Sequence, residues 1–555
     1  MHSQRITALA LATLRCTERT WVILNRQGGE AGLNLRVPIL RAIALAGPIL
    51  FLGSLLRSQS DIPADELTQQ TLKFTQVYGL LEENYVEPLD PDRAIFDGGI
   101  RGMLSALDPF SSFFDPAQFE ELQQFARGKA RGFGSILYVS PGKILVLQTA
   151  QGSPSWRAGL GPGDEIVEVN GTRISRLDFP SLIELLQRAR SQPARLGVIR
   201  PGQVVAQDFE LNPAEVETPT VDRAFVLQPS IAYLHVSAFD QKTDREITQA
   251  LERLGGASLR GLLLDLRDNR GGVLDTAITL ASLFLKPDLV VLTQQGRAVP
   301  EKSFSTSPRS AHFGLPVIVL VNGNTASAAE VLAAALQEHD RALIAGEPTY
   351  GKGMVESVAA LSERTGLALT TAQYFTPSGR SLQRPLPGTA LGAPQASLAA
   401  TANPVFRTDN GRVVAAGGGI TPDVVISAPV LDPWVSFLDQ RGIFTGFASE
   451  YLTLRGKVER SFEPDAKVLD EFRKFLGEQG IRVPEEYWTE DQDYLKLKIK
   501  AEVFNLVFGL TVGDEIEARG DPQVQKAAGL FAKVPVLLKP RPPQPARPRA
   551  KRAPR

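Results

Sequence analysis

Two hydrophobic periods divide the chain. Apolar residues first recur at helical spacing, Leu67, Phe74, Val77 and Leu81, then Ile100, Met103, Leu104 and Leu107. This predicts helices over residues 61–128. From Gly132 the pattern becomes short strands bounded by Gly and Pro: SILYV, KILVLQT and EIVEVNGT, a helix near 181–190, then RLGVIR, closing near Asn212. A linker rich in Pro and Glu, LNPAEVETPTV, follows. From Ser230 strand and helix alternate: IAYLHV, a helix near 243–254, GLLLDL, a helix near 274–284, VIVLV, a helix from Ala326, and ALIAG. Such alternation predicts an α/β sheet with flanking helices. Residues 388–419, rich in Ala, Gly and Pro, read as a loop insertion, and 431–538 return to helical periodicity. The fold class is therefore mixed α/β and multidomain, divided at 1–60, 61–129, 130–213, 214–430, 431–538 and 539–555.

Composition narrows the function classes. At 43% apolar and 22% charged residues the chain is neither a disordered polymer nor a polytopic membrane protein. Its one cysteine, Cys16, excludes a disulfide framework and a zinc ribbon. Four scattered histidines (His2, His235, His312, His339) offer no paired metal ligands, so no metal or cofactor is expected. The net charge of −1 hides an asymmetry: residues 1–60 carry +5 and 539–555 carry +7, leaving −13 on the body. Two basic ends around an acidic body do not suit a nucleic-acid partner. The tail, with six prolines in seventeen residues, should stay extended.

Residues 42–56, AIALAGPILFLGSLL, form an uncharged apolar run preceded by six arginines and two glutamates. That balance keeps the leading segment in the cytoplasm and exports the body. Leu55-Leu56-Arg57 follows rather than small residues, favouring an uncleaved anchor in the inner membrane over a cleaved signal peptide. The expected placement is a single-pass protein with a periplasmic body, or else a protein secreted to the periplasm.

Candidate chemistry gathers in residues 317–330, VIVLVNGNTASAAE, where a buried strand runs through a turn into a helix of small residues. Ser327 falls in the first turn, where free N–H groups and the helix dipole favour negative charge. A serine there is a nucleophile or simply a cap. His339 lies twelve residues along the same helix, about 18 Å away, while distance does not exclude His235 and His312 but neither has a Gly- or Asp-bearing context to orient it. The remaining base is a lysine made neutral by burial. Lys352, in Thr349-Tyr350-Gly351-Lys352-Gly353, is the candidate, against the plain reading of a lysine on a surface turn. Residues 346–352 also match the start of a phosphate-binding loop, G-x-x-x-x-G-K, but Gly353 stands where Ser or Thr is required.

T-A-S-A-A-E at 325–330 with G-K-G at 351–353 resembles the C-terminal processing (tail-specific) serine peptidases. GLLLDLRDNRGG at 261–272, YFTPSGR at 374–380 and GITPD at 419–423 resemble further signatures of that family, in its order. The resemblance spans roughly residues 65–430. It implies Ser327 as nucleophile, Lys352 as general base twenty-five residues on, and an oxyanion hole from the N–H groups of Ala328 and the Gly271-Gly272 turn, Gly272 chiefly. It also implies a PDZ domain at 130–213, inserted between parts of an α/β peptidase core, from Gly152-Ser153-Pro154, Ala158-Gly159-Leu160 and Gly163-Asp164-Glu165-Ile166. Gly132-Phe133-Gly134 would be its carboxylate loop, beside an edge strand that takes up a peptide. The implied partners are proteins or peptides with exposed C-termini; no oligomeric state follows.

The chain departs from the family at three places. Glu356 stands where the family has Gln, four residues after the lysine, and should share a face with it. A carboxylate there favours the charged ammonium and opposes a base role. Arg270 replaces a common Pro, and the 388–419 insertion is long. The expected function is a Ser/Lys endopeptidase acting near C-termini outside the cytoplasm; the alternative is a PDZ peptide-binding scaffold crippled by Glu356.

Overall fold

The computed structural model describes residues 64–308, 313–389, 405–415, 417–456 and 458–539. The leader with its apolar run and residues 540–555 of the basic tail lie outside them. Among the described residues no helix is long and apolar enough to cross a membrane.

The core grows from strands that are apolar throughout. After the antiparallel pair β10 (Val221–Gln228) and β11 (Ile231–Val236), parallel strands β12 (Gly261–Asp265), β15 (Val317–Val321) and β16 (Ala342–Gly346) follow. Every residue of β12, β15 and β16 is buried, as befits parallel strands covered on both faces. With β21 (Val424–Val425) they form a sheet in the order β10-β11-β12-β15-β16-β21. Alternate residues serve opposite faces. Leu262, Leu264, Val317, Val319 and Val321 pack under helices α6 (Thr243–Arg253), α7 (Leu274–Ser282) and α8 (Ala328–Glu338). Leu263, Ile318, Leu320 and Leu343 face Ala518, Val524, Ala527 and Val534 from the end of the chain. The C-terminal helices α14 (Leu510–Gly520) and α15 (Pro522–Ala528) are thus the second cover of this sheet. Each such fully buried Leu, Ile or Val is worth about 1.5–3 kcal/mol. Arg267 pins that cover, donating to Asp521 at 2.7 Å and Gln523 at 2.9 Å.

A second sheet runs β1-β18-β13-β14, with β17 also on β18. Its strands are β1 (Ser112–Phe114), β13 (Val290–Gln295), β14 (Lys302–Ser305), β17 (Met354–Ala360) and β18 (Gly366–Phe375). The presence of β1 corrects the all-helical reading of 61–128. Three residues are too few to register as a period, and pairing with β18 decides their conformation. Helix α1 (Ala64–Asn84) forms as predicted, yet Leu67, Phe74, Val77 and Leu81 are all exposed, Val77 by 57%. Their spacing gave the helix but not a buried face.

Between β2 (Lys129–Gly132) and β9 (Ala214–Glu217), an antiparallel ribbon, sits a sheet of β3 (Ser135–Ser140), β4 (Lys143–Thr149), β5 (Glu165–Val169), β7 (Ala194–Ile199) and β8 (Gln207–Leu211), in that order, closed by helix α5 (Phe179–Arg190). Its edge strand β3 (Ser135–Ser140) turns Leu137 and Val139 into the unit's own core. Ile136 and Tyr138, with Leu147 of β4 (Lys143–Thr149), pack instead into the core of the C-terminal helices beside Phe444, Phe447 and Phe472. The 388–419 segment, described in part, includes a small hairpin, 406–407 against 413–414, that the loop reading did not anticipate.

Candidate active site

Three loops converge at the carboxyl ends of β12, β15 and β16, the usual place for a site in a parallel sheet. The turn after β15 is tied down first. Thr325 Oγ1 donates to Leu266 O at 2.7 Å, and Ala326 N donates to Asn269 O at 2.9 Å. Ser327 then precedes α8 as its N-cap rather than sitting within the first turn, as the sequence suggested. Its backbone is at φ 57, ψ −123, a conformation that costs a non-glycine residue about 1–3 kcal/mol. Strand, strained turn and helix thereby present Ser327 much as a nucleophile elbow would, without the flanking glycines of that motif. The side chain is fully buried, and Oγ has no hydrogen-bond partner.

Glu330, one turn into α8 and fully buried, gathers the other loop. Its Oε2 accepts from Ser327 N and from Lys352 N, each at 2.9 Å. Its Oε1 accepts from Thr349 Oγ1 at 2.5 Å and Gly351 N at 2.8 Å. Burial pushes the carboxyl up to about 7, against the pull of these four donors. Ser327 and Lys352 are therefore anchored, backbone to backbone, on a single oxygen.

Lys352 is 2% exposed. It leads into strand β17, not into a helix, which removes the phosphate-loop resemblance. Its amine donates to Glu356 Oε2 at 2.8 Å and lies 4.5 Å from the centre of the Phe110 ring. Glu356 does share a face with the lysine, as expected. It is fully buried and its Oε1 has no partner. Burial raises the Glu356 carboxyl, with Lys352 pulling it back. Tyr374 closes the loop by donating to Lys352 O.

The Gly271-Gly272 turn presses on the serine. A Cβ on Gly271 would stand 2.9 Å from Ala326 O and Ala328 N, and one on Gly272 only 2.0 Å from Phe239 O. Both glycines have positive φ, 94 and 141, so only glycine fits. The bridge to Phe239 uses Phe239 N to Gly271 O and Val273 N to Phe239 O. Among the described residues this leaves the N–H of Gly272 without an acceptor, as is that of Ala328 at the start of α8.

The described histidines are engaged elsewhere. His235 contacts Asp222 and Arg267 O through its two ring nitrogens, and His339 contacts Asp409 and Val290 O. Among the described residues no cluster of His, Cys, Asp and Glu could hold a metal ion. In the expected carboxylate loop, Gly132 ends β2, Phe133 packs on the core of its unit, and Gly134 has φ 76. Ser155 N donates to Phe133 O and Ala150 N to Gly134 O, fixing the loop at the head of edge strand β3. Arg270, noted in the sequence as a departure, neighbours this turn but enters none of the bonds above.

Sequence reasoning gave no role to Glu330 or Tyr374, though both stand in the motifs quoted for the resemblance, and it passed over Phe110. For Glu330 a signal existed: Ser327-Ala328-Ala329-Glu330 has the S-x-x-E spacing of a capping box. Phe110 is brought in by tertiary packing alone.

Family profiles match three parts of the chain: Peptidase family S41 over residues 230–390, PDZ domain over 145–200, and Activating protease CtpB N-terminal domain over 54–117. The chain is 30% identical over 359 residues to the C-terminal processing peptidase, chloroplastic, of Tetradesmus obliquus, covering 58% of this chain and 77% of that one. It is 32% identical over 315 residues to the carboxyl-terminal-processing protease of Synechocystis sp., covering 56% and 73%. It is also similar to a solved photosystem II D1 C-terminal processing protease, with 26% identity, 67% and 90% coverage and a TM-score of 0.36.

Proposed function

Since the chain belongs to the C-terminal processing peptidases, serine-type enzymes of family S41, we propose that it cleaves proteins near their C-termini with a Ser327/Lys352 dyad. Ser327 Oγ attacks the scissile carbonyl while the neutral Lys352 amine takes its proton. The tetrahedral oxyanion is received by the N–H groups of Ala328 and Gly272. Lys352 then returns the proton to the leaving amine, and water, deprotonated by the same lysine, releases the acyl group. The neutral amine can keep its N–H donation to Glu356 while its lone pair takes the serine proton.

The observation that carries this reading is the Glu330 carboxylate, which binds the Ser327 and Lys352 backbones to one oxygen while Ser327 Oγ stays buried and unpartnered. The engaged histidines favour lysine as base. The 130–213 unit is the PDZ domain that takes a substrate tail at Gly132, Phe133 and Gly134, and the body works outside the cytoplasm, as the leader's charge balance argues. Membership of the family favours an enzyme over a mere scaffold, with Glu356 expected to slow the dyad.

One set of proteins tests this. Purified wild type should cut a tailed substrate, while Ser327→Ala, Lys352→Ala and Lys352→Arg should all fail, because guanidinium does not deprotonate. Intact spheroplasts should cut the same substrate added from outside. Activity in purified Lys352→Ala would remove the dyad; cleavage only after lysis would reverse the topology.

A further inference from the structure

The Lys352 amine rests on a residue from a distant part of the chain. Phe110 is fully buried, and the ammonium nitrogen lies 4.5 Å from its ring centre, within the range of a cation–π contact. The turn that presents the ring is specified by Asp108. One carboxylate oxygen accepts from Phe110 N and Ser111 N, both at 2.8 Å, and the other accepts from Ser111 Oγ at 3.0 Å. Ser111 Oγ in turn accepts from Thr370 N of β18 at 3.1 Å. On the opposite edge of the same residue, Thr370 pairs with Glu356 of β17. Phe110 and Glu356 are thus hung from one point of β18 and reach the same amine.

An apolar lining alone would only desolvate a lysine and hold it neutral. A ring face does something further: its quadrupole attracts a cation, and does so most strongly where water is excluded. We propose that Phe110 is a positioning residue for the general base. Its ring face, together with Glu356, steadies the ammonium that Lys352 becomes when it takes the Ser327 proton. This rests on the dyad reading. The titratable groups facing the lysine are Glu356 on β17, Asp108 on the turn, Glu330 on α8 and Tyr374 on β18. Of these Asp108 is committed to its own turn, and Glu330 and Tyr374 bond the lysine backbone rather than its amine. Ring and carboxylate both favour the cation.

The test is the pH profile of kcat/KM on a tailed peptide, measured for wild type, Phe110→Leu, and a protein with 3,4,5-trifluorophenylalanine at position 110. Fluorination keeps the ring's shape while weakening its negative face. In both altered proteins the alkaline rise of the rate should move to lower pH by about one unit, the size of a desolvated cation–π contact. Lys352→Ala is measured beside them. A fluorinated protein whose profile overlays wild type, with Lys352→Ala inactive, overturns the role of the ring and leaves the dyad standing. An active Lys352→Ala overturns both.

Discussion

Glu356→Gln isolates the charge that opposes the proposed base. The Lys352 amine is 2.8 Å from Glu356 Oε2, and both side chains are buried. Two unit charges about 4 Å apart attract by about 4 kcal/mol at an effective dielectric of 20. Burial penalises both charges and cancels part of this, as the raised Glu356 carboxyl attests. If a third to a half survives, removing the charge is worth about 1.4–2 kcal/mol. Glutamine keeps the shape and still accepts from the amine, but it carries no charge. The alkaline rise of kcat/KM should therefore move down by about one pH unit or more, and the rate near pH 7 should rise about tenfold. The assay is one pH–rate curve for each protein on the same peptide, with Ser327→Ala as blank. Overlaying curves would mean that the pair already rests with its proton on the carboxyl, and the argument from charge would be refuted.

Glu330→Gln sets an amide NH2 against N–H donors that now share a carboxylate, and should cost about 1–3 kcal/mol. The Glu330 carboxyl is raised by burial to about 7, so its stabilising contribution is whole below about 4.5 and is lost as pH rises through 7. The gap in melting temperature between variant and wild type should accordingly narrow from pH 5 to pH 8; a gap that widens contradicts this sign. Leu147→Ala, on β4 but buried among the C-terminal helices, should cost about 2–5 kcal/mol. Hydrogen exchange should then quicken across residues 443–508 as well as in β4, and quickening confined to residues 130–213 would refute a shared core.

Much of the fold was legible because its signals are local. The all-apolar runs VIVLV, GLLLD and ALIAG can be little else than buried strands. Ser327 and Lys352 were legible through motif and spacing. What escaped depends on distant partners. Nothing near Phe110 foretells that its ring will lie under an amine some 240 residues later. The helical stripe of α1 gave no sign that it would stay exposed, because periodicity reports a face and not what covers it. The positive φ of Ser327 is likewise imposed by the turns at Asn269 and Gly271 pressing on it, not by its neighbours in sequence.

The pairing of β1 with β18 bears on the order in which the molecule can be built. The bond from Thr370 to Ser111 closes a loop of 259 residues, whereas β3, β4 and the rest of their sheet close over short spans. Long closures come late in folding, because their entropy is lost before their contacts form. A chain emerging from the ribosome or a translocation channel can complete the 130–213 unit while Ser327 and Lys352 are still unmade. Even once both are present, the Phe110 ring and the Glu356 carboxylate reach the amine together only after residues 366–375 have captured 112–114. The residues proposed to govern proton transfer are thus assembled only by a chain grown past residue 375, so a product truncated before that point carries a serine and a lysine without the setting that couples them.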